Sequence, residues 1–350
     1  MKILVVGQGV AGAVLALTLS RGGMETWIVD QDRPGSASKL AAGVVNPVTG
    51  KRYALSWNFH SFFPFAKQFY HQLEAATGQK IWFDYPILRM LGSPLEWNEW
   101  NLRAGKPEFN GWMTTTDSAG KWGPHIQPGF NYGLLEQAGR ADFQALTRIS
   151  KATHPSYSAG WLEEEAMEAA LNEFDRVILC EGAFAAARPY FPEIPWNAAK
   201  GERLIIRLEN TEAIEQMLKK QILLAPYGEQ LFWAGANYDW NLENPSPTLE
   251  GKAFLTAEVK TMIKCPFKVE AHDAGIRPVV KDRRPVLGWS TQNPRVGIFN
   301  GMASKGALLA PFWANHLLLN LTEGQPIDPE VQVQRFKADA FAIPIINRGK

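Results

Sequence analysis

The apolar positions of the chain begin as a short continuous run, residues 2–6, which is the pattern of a buried strand. A glycine-rich turn, Gly7-Gln8-Gly9-Val10-Ala11-Gly12, follows it. Residues 13–20 are rich in Ala and Leu and predict a helix, and residues 26–29 predict a second strand ending at Asp30. Strand, helix and strand within about 30 residues make one complete βαβ unit.

From about residue 61 to 138 the pattern changes. This stretch holds Trp82, Trp97, Trp100, Trp112 and Trp122, punctuated by Ser93-Pro94 and Gly123-Pro124, and predicts a different layer, partly strand. Residues 141–150 then predict a helix, and 176–180 another buried strand ending at Glu181-Gly182. Strands are expected at 203–208, 222–225 and 231–234, and a helix at 249–263. A buried strand at 296–299 leads into a helix at 307–321, stopped by Gly324 and Pro326. Nucleotide-type elements thus recur at the start, middle and end, with two aromatic-rich blocks between them. The layout predicts an α/β protein with a discontinuous, Rossmann-like nucleotide-binding domain from residues 1–75, 138–198 and 271–350. A second α+β domain is expected from 76–137 and 199–270.

Composition narrows the class. The 350 residues are 46% hydrophobic and 20% charged, ordinary globular usage that leaves no room for a disordered or fibrous chain. The formal net charge of +1 gives no global argument for nucleic acid or an anionic membrane. Cys180 and Cys265 form no CxxC pattern, and the six histidines show no ligand spacing, so no metal site is expected. The apolar N-terminus is broken by three glycines and closed by Arg21-Gly22-Gly23, which reads as a folded element and not a signal peptide. No run reaches the ~18 apolar residues of a spanning helix. The expected compartment is the cytoplasm.

The chemistry starts at Gly7-x-Gly9-x-x-Gly12. The first glycine permits a tight turn, the second lets backbone approach a pyrophosphate, and the third lets helix and strand pack closely. The helix start offers unpaired N–H groups and a positive dipole end to phosphates. Asp30, 21 residues after Gly9, is placed to accept hydrogen bonds from both ribose hydroxyls of an adenosine. Together these predict a dinucleotide, without separating NAD from FAD. Two further loops favour a flavin. The small-residue stretch Ser36 to Pro47 lets backbone pass a flat ring, and residues 300–306 aim a second helix start at it.

The combination of Gly7, Gly9, Gly12, Asp30, Ala41-Ala42-Gly43, Leu179-Cys180-Glu181-Gly182, Gly275-Ile276-Arg277-Pro278 and the segment from Gly301 to Pro311 resembles the D-amino-acid oxidase superfamily. Within it, the glycine oxidase and sarcosine oxidase branch is the closest resemblance. The resemblance implies FAD, a substrate domain on an antiparallel sheet, and hydride transfer from the C–N carbon of a small amine or amino acid. Some members of the family bind flavin covalently through a cysteine or a histidine, but neither Cys180 nor Cys265 falls at a matching position, so the FAD is expected to be noncovalent. The resemblance also implies that Gly7, Gly9, Val10, Ala11 and Gly12 cradle the pyrophosphate and that Asp30 holds the ribose. Ser38, Ala42, Gly43 and Val44 would pass along the flavin, and Gly182 would allow close approach near the adenosine half. Gly301, Met302, Ser304, Lys305 and Gly306 would face the ring. Arg277 matches the arginine that clamps a substrate carboxylate, a task its planar fork suits.

The chain also departs from the glycine oxidase pattern. Gln221 and Leu223 stand where a His and a Tyr are expected, so the pattern does not fix the substrate. The electron acceptor is O2 or another oxidant. Two alternatives remain. One is a tRNA wobble-uridine oxidoreductase acting on a carboxymethylaminomethyl group, favoured by Lys51-Arg52, Lys219-Lys220, Lys281 and Arg283-Arg284. The other is a non-catalytic binding protein that retains the flavin fold.

Overall fold

A computed structural model describes every residue except 34, 51, 130, 158–163, 210, 243 and 337–350. Lys51 and the end of the expected 271–350 segment therefore lie outside the described residues. Two sheets organise the chain. The first has five strands in the order Val286–Trp289, Val296–Asn300, Arg176–Leu179, Lys2–Val6 and Glu25–Val29. Its four neighbouring strands from Val296–Asn300 to Glu25–Val29 run parallel, and Val286–Trp289 pairs antiparallel at the edge. Parallel strands buried on both faces read as continuous apolar runs, which is why these were visible in the sequence. One face is covered by the helices Val10–Arg21, Phe143–Thr153 and Gly306–Glu323, which pack with Phe59–Thr77 into one apolar cluster.

The second sheet has eight strands, in the order Phe267–Arg277, Ala199–Leu208, Leu231–Gly235, Leu223–Gly228, Met217–Lys219, Ile87–Leu91, Asn131–Leu135 and Thr114–Thr116. All its pairings are antiparallel except Met217–Lys219 with Ile87–Leu91. One face carries Leu204, Ile206, Leu218, Leu224 and Phe232 against the Leu249–Met262 helix. The other turns Ile205, Met217, Leu223 and Trp233 toward the nucleotide-type unit. The alternation follows directly from the two-residue period of a strand.

Two elements differ from the sequence-based expectation. Residues 59–77, largely placed in the partly stranded layer, form a 19-residue helix whose Phe59, Phe62, Phe63 and Phe69 are buried in the helical cluster. Phe267–Arg277 is an 11-residue strand pairing along the whole of Ala199–Leu208, and the expected 270/271 boundary falls inside it. Of the five tryptophans, Trp82, Trp100 and Trp122 are fully buried, each donating its indole N–H, to Asp84, Thr114 O and Gln216 O. They are core residues. Among the described residues, no helix is long and apolar enough to cross a membrane, and no cluster of three or more His, Cys, Asp or Glu is suited to hold a metal.

Candidate active site

A cavity of about 2960 Å3 lies between the two sheets. It exceeds the few hundred to ~1,000 Å3 usual for a small-molecule pocket, which suits a long ligand together with a second one. Its walls come from both units.

The glycine turn forms the first wall. A Cβ at Gly12 would stand 1.8 Å from Gly7 O, so only glycine lets the Val10–Arg21 helix close onto the strand before it. The first N–H groups of any helix lack partners within it. Here Val10 N–H is taken by Ser38 Oγ at 2.9 Å, so Ser38 caps the helix from the short neighbouring helix Ala37–Leu40. The Gly306–Glu323 helix begins beside this one, because a Cβ on Gly306 would be 2.7 Å from Val10 Cγ1. Two positive helix ends thus open side by side at the cavity.

Asp30 lines the cavity at the end of its strand. Its Oδ1 accepts Gln8 N–H at 3.1 Å, and its Oδ2 lies 3.5 Å from Lys151 Nζ. An ionised carboxylate accepts about four bonds, so capacity remains for a ribose. Gln8 is buried, lines the cavity, and neither atom of its side-chain amide has a partner. A buried amide without partners is costly unless a ligand supplies them.

The loop around residue 43 is pinned to strand Gly139–Ala141. Gly43 O accepts Ala141 N–H at 2.9 Å, and buried Arg140 donates from Nε to Ala42 O at 2.9 Å. The same loop is tied to the large sheet by Trp233 Nε1, which donates to Leu40 O at 2.7 Å. The loop near the chain's end is tied to the middle one by Asn300, which donates from Nδ2 to Gly182 O at 2.9 Å and accepts Gly301 N–H. Lys305 caps the start of the Gly306–Glu323 helix, and burial together with Arg284 and Arg283 lowers its ammonium pKa.

The opposite wall belongs to the large sheet. Arg277 reaches across Gly201, where a Cβ would meet its Nη2 at 1.9 Å. It donates to Lys200 O and Asn237 O, both at 3.2 Å, and lies 4.2 Å from the centroid of the Tyr238 ring. Burial lowers its pKa, with Tyr238 opposing, yet a guanidinium stays charged. Asp282, five residues on, pairs with Arg335 instead. Arg277 makes no ion pair with any described carboxylate. His272 is held by Glu202, Nε2 to Oε2 at 2.8 Å, and Glu202 also accepts from Thr248.

Of the residues singled out in the sequence, Gly7, Gly9, Val10, Ala11, Asp30, Ser38, Ala42, Gly43, Val44, Gly182, Met302, Ser304, Lys305, Gly306 and Arg277 all line this one cavity. Gly12 and Gly301 stand behind its wall and shape the two turns. Gln221 and Leu223 also line it, as do Lys219, singled out in the sequence only as a basic residue favouring tRNA, and Gln8, for which the sequence carried no ligand signal.

A nucleotide-type sheet with paired helix starts faces, across one cavity, a mostly antiparallel sheet that presents a guanidinium without a described carboxylate partner, which is the arrangement of a dinucleotide-dependent enzyme. The chain belongs to the DAO family of FAD-dependent oxidoreductases, whose family model matches residues 2–318. It is 22% identical over 381 residues to the bifunctional protein ThiO/ThiG of Nostoc sp., a match covering 99% of this chain and 57% of that protein. It thus spans little more than half the length of that curated relative. The fold is also that of solved structures. Glycine oxidase from Bacillus cereus superposes with a TM-score of 0.76 at 18% identity, over 94% of this chain and 96% of that one. Iminodiacetate oxidase from Chelativorans sp. gives 0.72 at 19%, over 95% and 98%. L-proline dehydrogenase from P. horikoshii gives 0.72 at 16%, over 93% and 94%. FAD is the family's cofactor. The unpartnered Gln8 amide and the glycine turn of this structure fit a dinucleotide.

Proposed function

We propose that the protein oxidises the C–N bond of a small amine or amino acid that carries a carboxylate next to the amine. The observation that carries this reading is Arg277, a charged fork in the cavity wall held by two backbone carbonyls and without a carboxylate partner among the described residues. Noncovalent FAD, when bound, supplies the two-electron acceptor. The turn residues Gly7 to Gly12, with Asp30, hold its nucleotide half. The loops at Ser38 to Val44 and Met302 to Gly306 hold the ring half. Arg277 takes the substrate carboxylate in two parallel hydrogen bonds, which fixes both the position and the rotation of the neighbouring carbon. Leu223, Ile222 and Trp233 make the surrounding wall apolar and exclude water. An amine that enters unprotonated needs no general base. The names of the similar proteins, glycine oxidase and iminodiacetate oxidase among them, support this class of substrate.

The test is an anaerobic screen of amino acids and N-alkyl glycines against the yellow holoenzyme, followed by the same screen on Arg277→Ala. Bleaching of the visible band by at least one substrate is expected. Loss of a charged hydrogen-bonding partner worth about 1.5–3 kcal/mol should lower kcat/KM about 10- to 150-fold in the variant. A holoenzyme that no amine bleaches, or an Arg277→Ala variant with unchanged kcat/KM, would overturn the reading.

A further inference from the structure

The large sheet holds a second cationic feature that carboxylate clamping by Arg277 does not use. Register partners across six of its strands form one row: Asp273, Arg203, Gly235, Leu223, Lys219 and Arg89. Partners directly opposite share a face, so the whole row lies on one side of the sheet. That side faces the cavity, which Asp273, Arg203, Gly235, Leu223 and Lys219 all line. At one end the charges balance, with Arg203 Nε on Asp273 Oδ2 at 3.2 Å. In the middle, Gly235 has no side chain and Leu223 is apolar. At the other end Lys219 and Arg89 stand side by side on neighbouring strands. Neither forms an ion pair with a described carboxylate. Lys219 Nζ donates to Gln221 O at 2.9 Å, and Arg89 Nη1 to Lys220 O at 2.6 Å. Arg89 Nε is buried and has no hydrogen-bond partner.

Two like charges opposite each other on a sheet repel, and burial makes that worse by withdrawing the water that would screen them. Burial and the Arg89 charge hold the Lys219 ammonium down at about 8. An anion from outside would balance the two charges and restore the charged form of both.

We propose that Lys219, backed by Arg89, is a second oxyanion-binding subsite for a remote acidic group on the substrate, a specificity that rests on the amine-oxidation reading above. Strands lie about 4.8 Å apart, so the Lys219 row position is roughly 19 Å from that of Asp273, four strands away. Arg277 lies four residues further along the Asp273 strand. Both cations are long and flexible, but a compact amino acid does not reach from one to the other. The substrate is therefore elongated, an amine with one acid beside the C–N bond and a carboxylate or phosphate several bonds away.

Binding to the holoenzyme tests this without turnover. Glutarate, adipate and pimelate, the phosphonate analogue 5-phosphonopentanoate, and the monoacid hexanoate are titrated by calorimetry and by perturbation of the flavin spectrum. A second charge-assisted contact should make at least one two-acid probe bind about tenfold or more tighter than hexanoate. Whether carboxylate or phosphonate gains more identifies the acid. In Lys219→Met, with Lys219→Gln as the second variant, that advantage should disappear while hexanoate affinity and FAD affinity stay as they were. Equal affinity for one- and two-acid probes in the unaltered protein would overturn the subsite. So would a Lys219 variant that loses FAD instead, since the lysine would then serve the cofactor. Failure of every amine to bleach the flavin sinks the amine reading alone, because these binding measurements do not depend on turnover.

Discussion

A Cβ at Gly12 meets backbone, whereas a Cβ at Gly9 meets the Ser38 side chain, its hydroxyl at 2.9 Å. The two glycines of one motif should therefore fail in different ways. Gly12→Ala must push the Val10–Arg21 helix off the first strand, an overpacking cost of about 3 kcal/mol or more. Gly9→Ala requires only that Ser38 rotate, which gives up its bond to Val10 N–H, worth about 1 kcal/mol. Urea denaturation of the apoproteins should rank them in that order. FAD titration should find binding weakened in Gly9→Ala, where backbone no longer approaches the pyrophosphate. If Gly9→Ala unfolds as easily as Gly12→Ala, the division of labour within the turn is wrong.

Among the elements, the Phe59–Thr77 helix shows how one residue joins two layers. Glu74 Oε1 accepts Ile81 N–H and Trp82 N–H, both at 2.8 Å, while His71 and Lys80 lie against the same carboxylate. Burial pushes its pKa up, but these donors outweigh it and bring it down to about 2. The native state therefore keeps Glu74 ionised after the unfolded chain has taken up a proton. That stability is complete above pH ~4.5 and fades as the pH falls toward 2. At about 1.4 kcal/mol per pH unit, Glu74→Gln should cost ~3 kcal/mol at pH 7, and the gap to the unaltered protein should close between pH 4.5 and 2. A gap that stays constant with pH would show that the carboxylate charge is not what joins helix and strand. The sequence did not reveal this helix, because its aromatic residues blended with the Trp-rich stretch that follows. It missed Phe267–Arg277 for the opposite reason. Lys268, Glu270, His272 and Asp273 leave that edge strand without an apolar run, and only its pairing with Ala199–Leu208 makes it a strand. By contrast, 2–6, 176–180 and 296–299 were legible because strands buried on both faces must be apolar throughout.

At the scale of the whole molecule, the site was legible where the chain is local and illegible where two units meet. Gly7 to Gly12, Asp30 and the 300–306 loop announce themselves by spacing. Gln8, Lys219 and the Trp233–Leu40 bond acquire meaning only once the sheets face each other across the cavity. The same arrangement predicts how cofactor binding couples to folding. Among the contacts that join the units are the Trp233 bond to Leu40 O and a short pairing of Ser36 with Ile276. FAD held by the proposed residues would touch walls from both, and its affinity would then add to the stability of the assembled form. The gain is RT ln(1 + [L]/Kd), about 2.7 kcal/mol at one hundred times Kd and 4.1 at one thousand times. The melting temperature of the apoprotein should therefore climb with added FAD and continue to climb past saturation. Hydrogen exchange should locate the effect. Backbone amides around residues 37–45 and 302–305 should slow markedly when FAD binds, while those of Lys2–Val6 and Arg176–Leu179, buried at the centre of their sheet, should exchange slowly in both forms. A melting temperature indifferent to FAD, or protection confined to the glycine turn with none at 302–305, would mean that the two helix starts do not share one ligand.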